Sequence, residues 1–316
     1  MRAALCWCWL ASLAFAPQAS AQTAPTREFT IQGPDDVARD SETHDIAFRV
    51  DHTDRMTVPV RMGGKGPFHF LVDTGANRTV VSTAIAAAMG FSSGPVARLH
   101  SVSGASLVRT ANVPQFELSR GRVRSVEVAL LEAAHMEADG IVGVDSLRSE
   151  KVIFDFRKRV ISIVPAKQRI RDEPGTIVVH GKLKQGHLIV TSASANRVPL
   201  MAVLDTGSEI TLGNAALRSR LEARRRLGPA ESIAMKSVTG QILIGEAFRM
   251  KTVTIGGVEL HELVILFTSA PIFQHLGLED RPALLLGMNA LRAFDKVSID
   301  FARKQLRMTT SGARQL

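Results

Sequence analysis

Asp73 and Asp205 are the residues of this chain whose setting calls for chemistry. Each closes an apolar run, Phe70-Leu71-Val72-Asp73-Thr74-Gly75-Ala76 and Ala202-Val203-Leu204-Asp205-Thr206-Gly207-Ser208, and the two Asp-Thr-Gly triplets lie 132 residues apart. An apolar run of that length reads as a buried strand. Ending a buried strand on a carboxylate is costly unless the charge finds a partner. Two such endings in one chain point to carboxylates that meet in space. A pair in contact cannot ionise together easily, so it shares one proton and its titration splits into two steps. One member is then a base and the other an acid near the same pH, which equips the pair for general acid–base chemistry. Chance is a weak rival: at ordinary residue usage one such triplet falls in roughly one chain in twenty of this length. Asp, Thr and Gly are also plain turn residues, but a turn alone leaves the apolar flanks unexplained.

The elements that must position these carboxylates occur twice. In the first half Val58–Met62 alternates, Gly63-Gly64-Lys65-Gly66-Pro67 turns, and Phe68–Val72 returns as a hairpin. Thr79-Val80-Val81 follows, then Ser82 as the N-cap of a short helix over Ala84–Met89, with Gly90 at its end. Next come a Gly- and Ser-containing hairpin, His100-Ser101-Val102-Ser103-Gly104-Ala105-Ser106, and the segment Gly140-Ile141-Val142-Gly143-Val144-Asp145-Ser146-Leu147. A last hairpin, Val152–Phe156 with Val160–Ile163, turns at Arg157-Lys158-Arg159.

The second half repeats this order. Leu188–Thr191 and Leu200–Leu204 flank a turn at Asn196-Arg197, Thr211-Leu212 follows the triplet, and Asn214 caps a second helix. Lys236-Ser237-Val238-Thr239-Gly240 matches the first hairpin, and Leu285-Leu286-Gly287-Met288-Asn289-Ala290-Leu291 matches Ile141–Leu147. Val297–Phe301 and Leu306–Met308 turn at Arg303-Lys304. The offsets run 132, 136, 144 and 145, growing as loop insertions in the second copy would make them. This is an internal duplication.

Strands dominate, with one short helix or so per half, so the expected class is all-β, with two homologous halves related by a pseudo-two-fold. The expected lobes are 46–166 and 176–316, with a linker at 167–175. The two-fold brings Asp73 and Asp205 to one axis. Thr74 and Thr206 can then hydrogen-bond across it. Gly75 and Gly207 let the backbone turn tightly and leave their N–H groups to face a carboxylate. Ser208 can donate to Asp205, whereas Ala76 has nothing to donate to Asp73, so an asymmetric pair is expected. Asp155 and Asp300 hold matching places in the last strands and suit structural hydrogen bonds near the basic turns.

The 316 residues suffice for one large or two modest domains. Arg2, the apolar run Ala3–Ala16 and Ala19-Ser20-Ala21 form a signal-peptide pattern over 1–21, cleaved after Ala21. Residues 22–45 are polar and read as an N-terminal arm or leading strand, short for a pro-segment. Cys6, Cys8, Trp7 and Trp9 all fall in the leader, so the mature chain has no Cys, Trp or Tyr. Disulfides, thiol catalysis and cysteine-ligated metal are thereby excluded. No later segment is long and apolar enough to span a membrane. The destination is the periplasm or the exterior.

Net charge is +9, and 9 − 1 = +8 without Arg2, which favours acidic partners at long range. The cluster Arg218, Arg220, Arg224, Arg225 and Arg226 suits a solvated helix face, and no aromatic residues interleave for stacking on nucleic acid. Nine His make no metal-binding spacing, His261-Glu262 has no second His nearby, and no serine elbow is present. Gly63–Gly66 lacks the spacing of a phosphate loop. No metal or other cofactor is expected.

The motif Leu71-Val72-Asp73-Thr74-Gly75-Ala76 with Thr79-Val80 resembles the active-site loop of retroviral-type aspartic proteases. So does Ile141-Val142-Gly143 running into Asp145 and Leu147, and Leu286-Gly287 running into Asn289 and Leu291. Pepsins share the two-lobed single-chain plan. The whole, over about residues 46–310, resembles a bacterial-type exported protease joining two retropepsin-like halves. The resemblance implies that each half is a β-barrel lobe and that Asp73 and Asp205 are catalytic. It implies that Thr74, Gly75, Ala76, Thr206, Gly207 and Ser208 support the loops, with Gly75 and Gly207 carbonyls binding substrate main chain. It places Val102, Ser103, Gly104, Val238, Thr239 and Gly240 at flaps over an extended polypeptide; one hairpin or both can take that role. The chain departs from pepsins in having no flap tyrosine.

The pepsin dyad is itself the known instance of two carboxylates sharing a proton, and the mechanism is taken from it. The base activates a water that attacks the peptide carbonyl, and the acid protonates the carbonyl oxygen. With both halves in one chain, the expected working form is a monomer. The alternatives are a catalytically silent peptide-binding protein of the same fold and a structural β-domain held at the cell envelope by its basic surface.

Overall fold

The computed structural model describes the backbone of residues 45–47 and all of residues 56–118 and 123–310. The signal peptide expected at 1–21 and nearly all of the arm at 22–45 lie outside the described residues.

The alternation of Val58, Val60 and Met62 forms the strand Thr57–Met62, which pairs antiparallel with Lys65–Val72. The apolar end of the second strand is buried at Phe70, Leu71 and Val72. It is covered because Gly140–Val142 returns beside it, parallel, with Leu71 opposite Ile141 and Val72 opposite Val142. The same returning strand pairs antiparallel with Val80–Ser82, which runs parallel to Val123–Leu131. Thr110–Glu117 pairs with Val123–Leu131 and then with the first strand, through Arg61 opposite Glu117 and Met62 opposite Phe116. Six strands thus close into a barrel, which leaves few free edges.

The second half repeats the circuit: His187–Ala195, Val198–Leu204, Ala283–Leu286, Thr211–Gly213, Val258–Phe267 and Ile242–Ile255. Ala193 opposite Ile255 closes it. One buried apolar cluster runs through both halves, from Val58 and Phe70 to Leu204, Phe294 and Met308.

Ser82 caps the helix Thr83–Ala88, its Oγ accepting from the Ile85 N–H, and Asn214 caps Ala215–Ala223 in the same way at Leu217. Each half carries two further short helices, Ala133–Met136 and Val144–Leu147 in the first, Pro271–His275 and Met288–Leu291 in the second. One helix or so per half was the expectation; the added ones are four or five residues long, too short to show a 3.6-residue period.

A six-stranded sheet is built by both halves together. Its order is Asp45–Ala47, Val160–Pro165, Glu150–Asp155, Lys296–Asp300, Gln305–Thr309, Thr176–His180. The central pairing sets Lys151 opposite Asp300, Ile153 opposite Ser298 and Asp155 opposite Lys296. With an offset of 145, Lys151 matches Lys296 and Asp155 matches Asp300, so the pairing is its own two-fold mate. Two ion pairs cross it, Lys151–Asp300 at 3.5 Å and Lys296–Asp155 at 3.3 Å. Each aspartate also accepts from its basic turn, Asp155 from the Lys158 N–H and Asp300 from the Arg303 N–H, both at 2.9 Å. The turn bonds were legible in the sequence; the lysines across the two-fold were not. The segment 167–175 carries no strand, and Asp172 and Glu173 tie it to the sheet through Arg307 and Lys296.

The two ion pairs differ in depth. Lys151 and Asp300 side chains are 5% and 1% exposed, Lys296 and Asp155 24% and 12%. Removing one partner of a buried pair leaves the other charge desolvated. Asp300→Ala should therefore cost about 3 kcal/mol, and Asp155→Ala about 1 kcal/mol, read from urea unfolding midpoints. Equal losses would mean that depth does not set the strength of these pairs.

Candidate active site

Each apolar strand stops at its aspartate because the returning strand takes the next bond. The Asp73 N–H donates to the Val142 carbonyl at 3.0 Å, and the Asp205 N–H to the Leu286 carbonyl at 3.1 Å. Behind each loop a side chain clamps the chain as it leaves. Asp145 accepts from the N–H and hydroxyl of Thr79 at 3.0 and 2.7 Å. Asn289 does the same for Thr211 at 2.9 and 2.7 Å.

The loops are locked to each other by four hydrogen bonds. Thr74 Oγ1 donates to the Leu204 carbonyl at 3.0 Å and accepts from the Thr206 N–H at 3.1 Å. Thr206 Oγ1 donates to the Val72 carbonyl at 2.7 Å and accepts from the Thr74 N–H at 3.0 Å. Both threonines are buried. Gly75 and Gly207 have no left-handed φ, so turn geometry does not demand glycine. Space does: a Cβ on Gly75 would run into the Asp205 carboxyl, and one on Gly207 into that of Asp73.

Asp73 and Asp205 are 8% and 4% exposed, and each lies close enough to shift the other's titration. Asp73 Oδ1 accepts from the Gly75 N–H at 2.7 Å and the Ala76 N–H at 3.0 Å. Asp205 Oδ1 accepts from the Gly207 N–H at 3.1 Å. Ser208 was expected to donate its hydroxyl to Asp205. It donates instead to the Ile210 carbonyl at 2.7 Å, because the loop turns back within two residues and offers that acceptor first. The asymmetry of the pair comes from the backbone. Burial raises Asp73 above the ordinary aspartate value, opposed by the two N–H groups, by Asp205 and by His187. Burial and then the Asp73 charge push Asp205 well above that value. Two N–H donors on Asp73 Oδ1 against one on Asp205 Oδ1 favour the charge on Asp73.

Both hairpins roof the pair. Ala97–Ser101 and Gly104–Val108 turn at Val102 and Ser103, and the second turn spans Ser237–Gln241. Their tips meet: Ser103 Oγ donates to Ser237 Oγ at 2.9 Å and lies 3.1 Å from Thr239 Oγ1, while Ser101 and Ser103 hydroxyls are 2.9 Å apart. Val102 packs on apolar side chains of the second half, including Val203 and Leu285, and Val238 on those of the first, including Val80 and Ile141. The Gly240 turn lies against the His135 ring, and His100 of the first hairpin stacks on His275 of the second half at 3.8 Å. Of the expected residues, Val102 and Val238 line the cleft with the two aspartates, Ser103 and Thr239 meet at the hairpin tips, and Gly104 and Gly240 belong to the same two turns.

Beneath the roof lies a cleft of about 340 Å³, lined by the aspartates, Gly75, Gly207 and apolar side chains of both halves. His187, Glu137, Lys236 and Met235 also line it. Sequence reasoning passed over these four. They occupy ordinary positions, a strand start, a helix end and a hairpin arm, and only the folded chain brings them to one cleft. Among the described residues no cluster of three His, Cys, Asp or Glu side chains could hold a metal ion, and no helix is long and apolar enough to cross a membrane.

Two six-stranded barrels, each ending a strand on Asp-Thr-Gly at a common two-fold, define the bilobal aspartic-protease class. The aspartyl protease family model matches the chain twice, over residues 58–146 and 191–290, one match per half. The chain belongs to that family. No curated protein matches it significantly.

Thr74→Val keeps the shape and strands two buried groups, the Leu204 carbonyl and the Thr206 N–H. It should cost about 2–4 kcal/mol by urea denaturation. A loss under about 1 kcal/mol would show that the loops hold together without this hydroxyl.

Proposed function

We propose that this chain is an aspartic endopeptidase that hydrolyses peptide bonds of extended polypeptides with the Asp73/Asp205 pair. The observation that carries the reading is the buried pair of aspartates at the floor of a cleft with apolar walls on both sides. Asp73, the anion, takes a proton from water as the water oxygen bonds to the peptide carbon. Asp205 gives its proton to the carbonyl oxygen, and a tetrahedral diol forms. Asp205 then takes a proton back from one hydroxyl as the C–N bond breaks, and Asp73 delivers its proton to the leaving nitrogen. Both carboxyls end as they began.

A cleft of about 340 Å³ holds the side chains around one bond; the rest of an extended chain runs beneath the hairpins. Because the tips bond to each other, they must part to admit a polypeptide. One chain supplies both halves of the pair, so a monomer suffices. Export on the leader at 1–21 belongs to the same reading.

The test is cleavage of casein across a pH series. Wild type should cut, and Asp73→Asn and Asp205→Asn should each lose about a thousandfold or more. Activity needs Asp73 ionised and Asp205 protonated, and both are raised above 3.8. The profile should be a bell that rises above pH 3.8 as Asp73 loses its proton and falls as Asp205 does. Loss in only one mutant would refute the shared pair. Peptide binding without turnover at any pH would put the silent binding protein in its place.

A further inference from the structure

Apart from the two aspartates, His187 is the buried titratable group on the cleft wall, 2% exposed. It opens the second half's strand His187–Ala195, yet its Nδ1 lies 3.2 Å from the Thr74 carbonyl oxygen in the first half's loop. A carbonyl only accepts, so Nδ1 carries the hydrogen. The Thr74 carbonyl and the Gly75 N–H belong to one planar peptide unit. That N–H makes the 2.7 Å bond to Asp73 Oδ1, shorter than the bonds from Ala76 and Gly207. Donation into the carbonyl end of a peptide polarises it and strengthens donation from its N–H end.

We propose that His187 is a positioning residue, which fixes and polarises the Thr74–Gly75 peptide unit and so holds Asp73 as the anionic member of the pair. Its consequence for catalysis rests on the protease reading; its geometry does not. Burial pushes His187 below the ordinary histidine range, which favours the neutral ring, and the contact with the Thr74 carbonyl selects the Nδ1–H tautomer of that form. The Thr74 carbonyl and the Asp73 charge pull the other way, and His275 of the Pro271–His275 helix opposes them. The charged and titratable groups facing the ring are thus Asp73, with Asp205 across the pair, and His275. At the offset of 132 the counterpart of His187 is Arg55, which lies outside the described residues. The duplication does not repeat this group, and the aspartate it serves is the one that keeps the charge.

The test is a carboxyl-carbon NMR titration of Asp73 in the wild type, His187→Phe and His187→Asn, with kcat/KM followed over the same pH range. Asn offers an N–H where Nδ1 stands; Phe keeps a ring and loses the donor. In His187→Phe the Asp73 titration and the acid limb should move up by about half to one pH unit, the share of one hydrogen bond. In His187→Asn both should stay near wild type, and in His187→Phe the loss should fall on kcat with KM little changed. Equal titrations in all three proteins, or a shift in Asn as large as in Phe, would overturn the proposal. Should His187→Phe not fold, nitrogen NMR of the wild-type ring decides: a neutral Nδ1–H ring is expected, and a neutral Nε2–H ring overturns it. The carboxyl titration is read whether or not peptides are cut. Absence of cleavage therefore counts against the protease reading and not against the role of His187.

Discussion

Two carboxyl groups buried side by side can hold one negative charge between them, and the structure is arranged around that constraint. At 8% and 4% exposure, neither Asp73 nor Asp205 has enough water to ionise at ordinary cost. Each depends on the other, and on the N–H groups that follow it in its own loop. The loops must therefore stay in register with each other. The crossed threonines enforce this, because each hydroxyl serves the opposite loop at both a carbonyl and an N–H. Parting the loops would open four buried backbone groups and strand a carboxyl at the same time. Glycine at 75 and 207 follows from the same constraint, since each residue faces the other loop's carboxyl where a Cβ would sit.

The two-fold is maintained at three levels, and each uses different chemistry. At the floor it is hydrogen bonds between loops. Below, it is a sheet whose central pairing joins Glu150–Asp155 to Lys296–Asp300, crossed by two lysine–aspartate pairs. Above, it is serine and threonine hydroxyls between hairpin tips, with valines packed into opposite halves. The three differ in how readily they let go. Backbone pairing and buried ion pairs persist. A small set of part-buried hydroxyl contacts at a hairpin tip exchanges with water at little cost. In the proposed protease the roof is the level that opens, and the floor the level that does not.

Much of this was legible in the sequence because duplication doubles every signal. The Asp-Thr-Gly loops, the caps at Ser82 and Asn214, the paired hairpins and the returning Gly140–Val142 and Ala283–Leu286 strands each occur in both copies. What was not legible lies across the two-fold. A lysine in one strand says nothing of the aspartate that will face it from another half, as with Lys151 and Asp300. His187 sits at a strand start between Lys184-Gln185-Gly186 and Leu188-Ile189-Val190, and only the fold sets it against Thr74. Ser208 illustrates the opposite error. Its type and place suggested a bond to Asp205, but a hydroxyl has one hydrogen, and the Ile210 carbonyl two residues away takes it. Side-chain donors are assigned by local competition, which residue type alone does not resolve.

A duplicated chain can also do what two identical chains cannot. In a symmetric pair the shared proton has no preferred side, and the environment of one carboxyl copies that of the other. Here the copies have diverged at the positions that decide the matter. The Ala76 N–H bonds to the Asp73 carboxyl at 3.0 Å, while the Ser208 N–H makes a long 3.4 Å bond to the Asp205 carbonyl and still lowers the pKa of the Asp205 carboxyl. His187 stands behind the Asp73 loop, and the matching position is Arg55. Asp145 behind one loop is Asn289 behind the other, so the two clamps differ by a charge. Each difference is small against the repulsion of two carboxylates, yet it need only bias where a single proton rests. About 1.4 kcal/mol is a tenfold preference, which is within the reach of one added hydrogen bond to an anion. In the proposed mechanism, fixing the base as Asp73 and the acid as Asp205 requires no change in the fold, only that the two copies be free to vary.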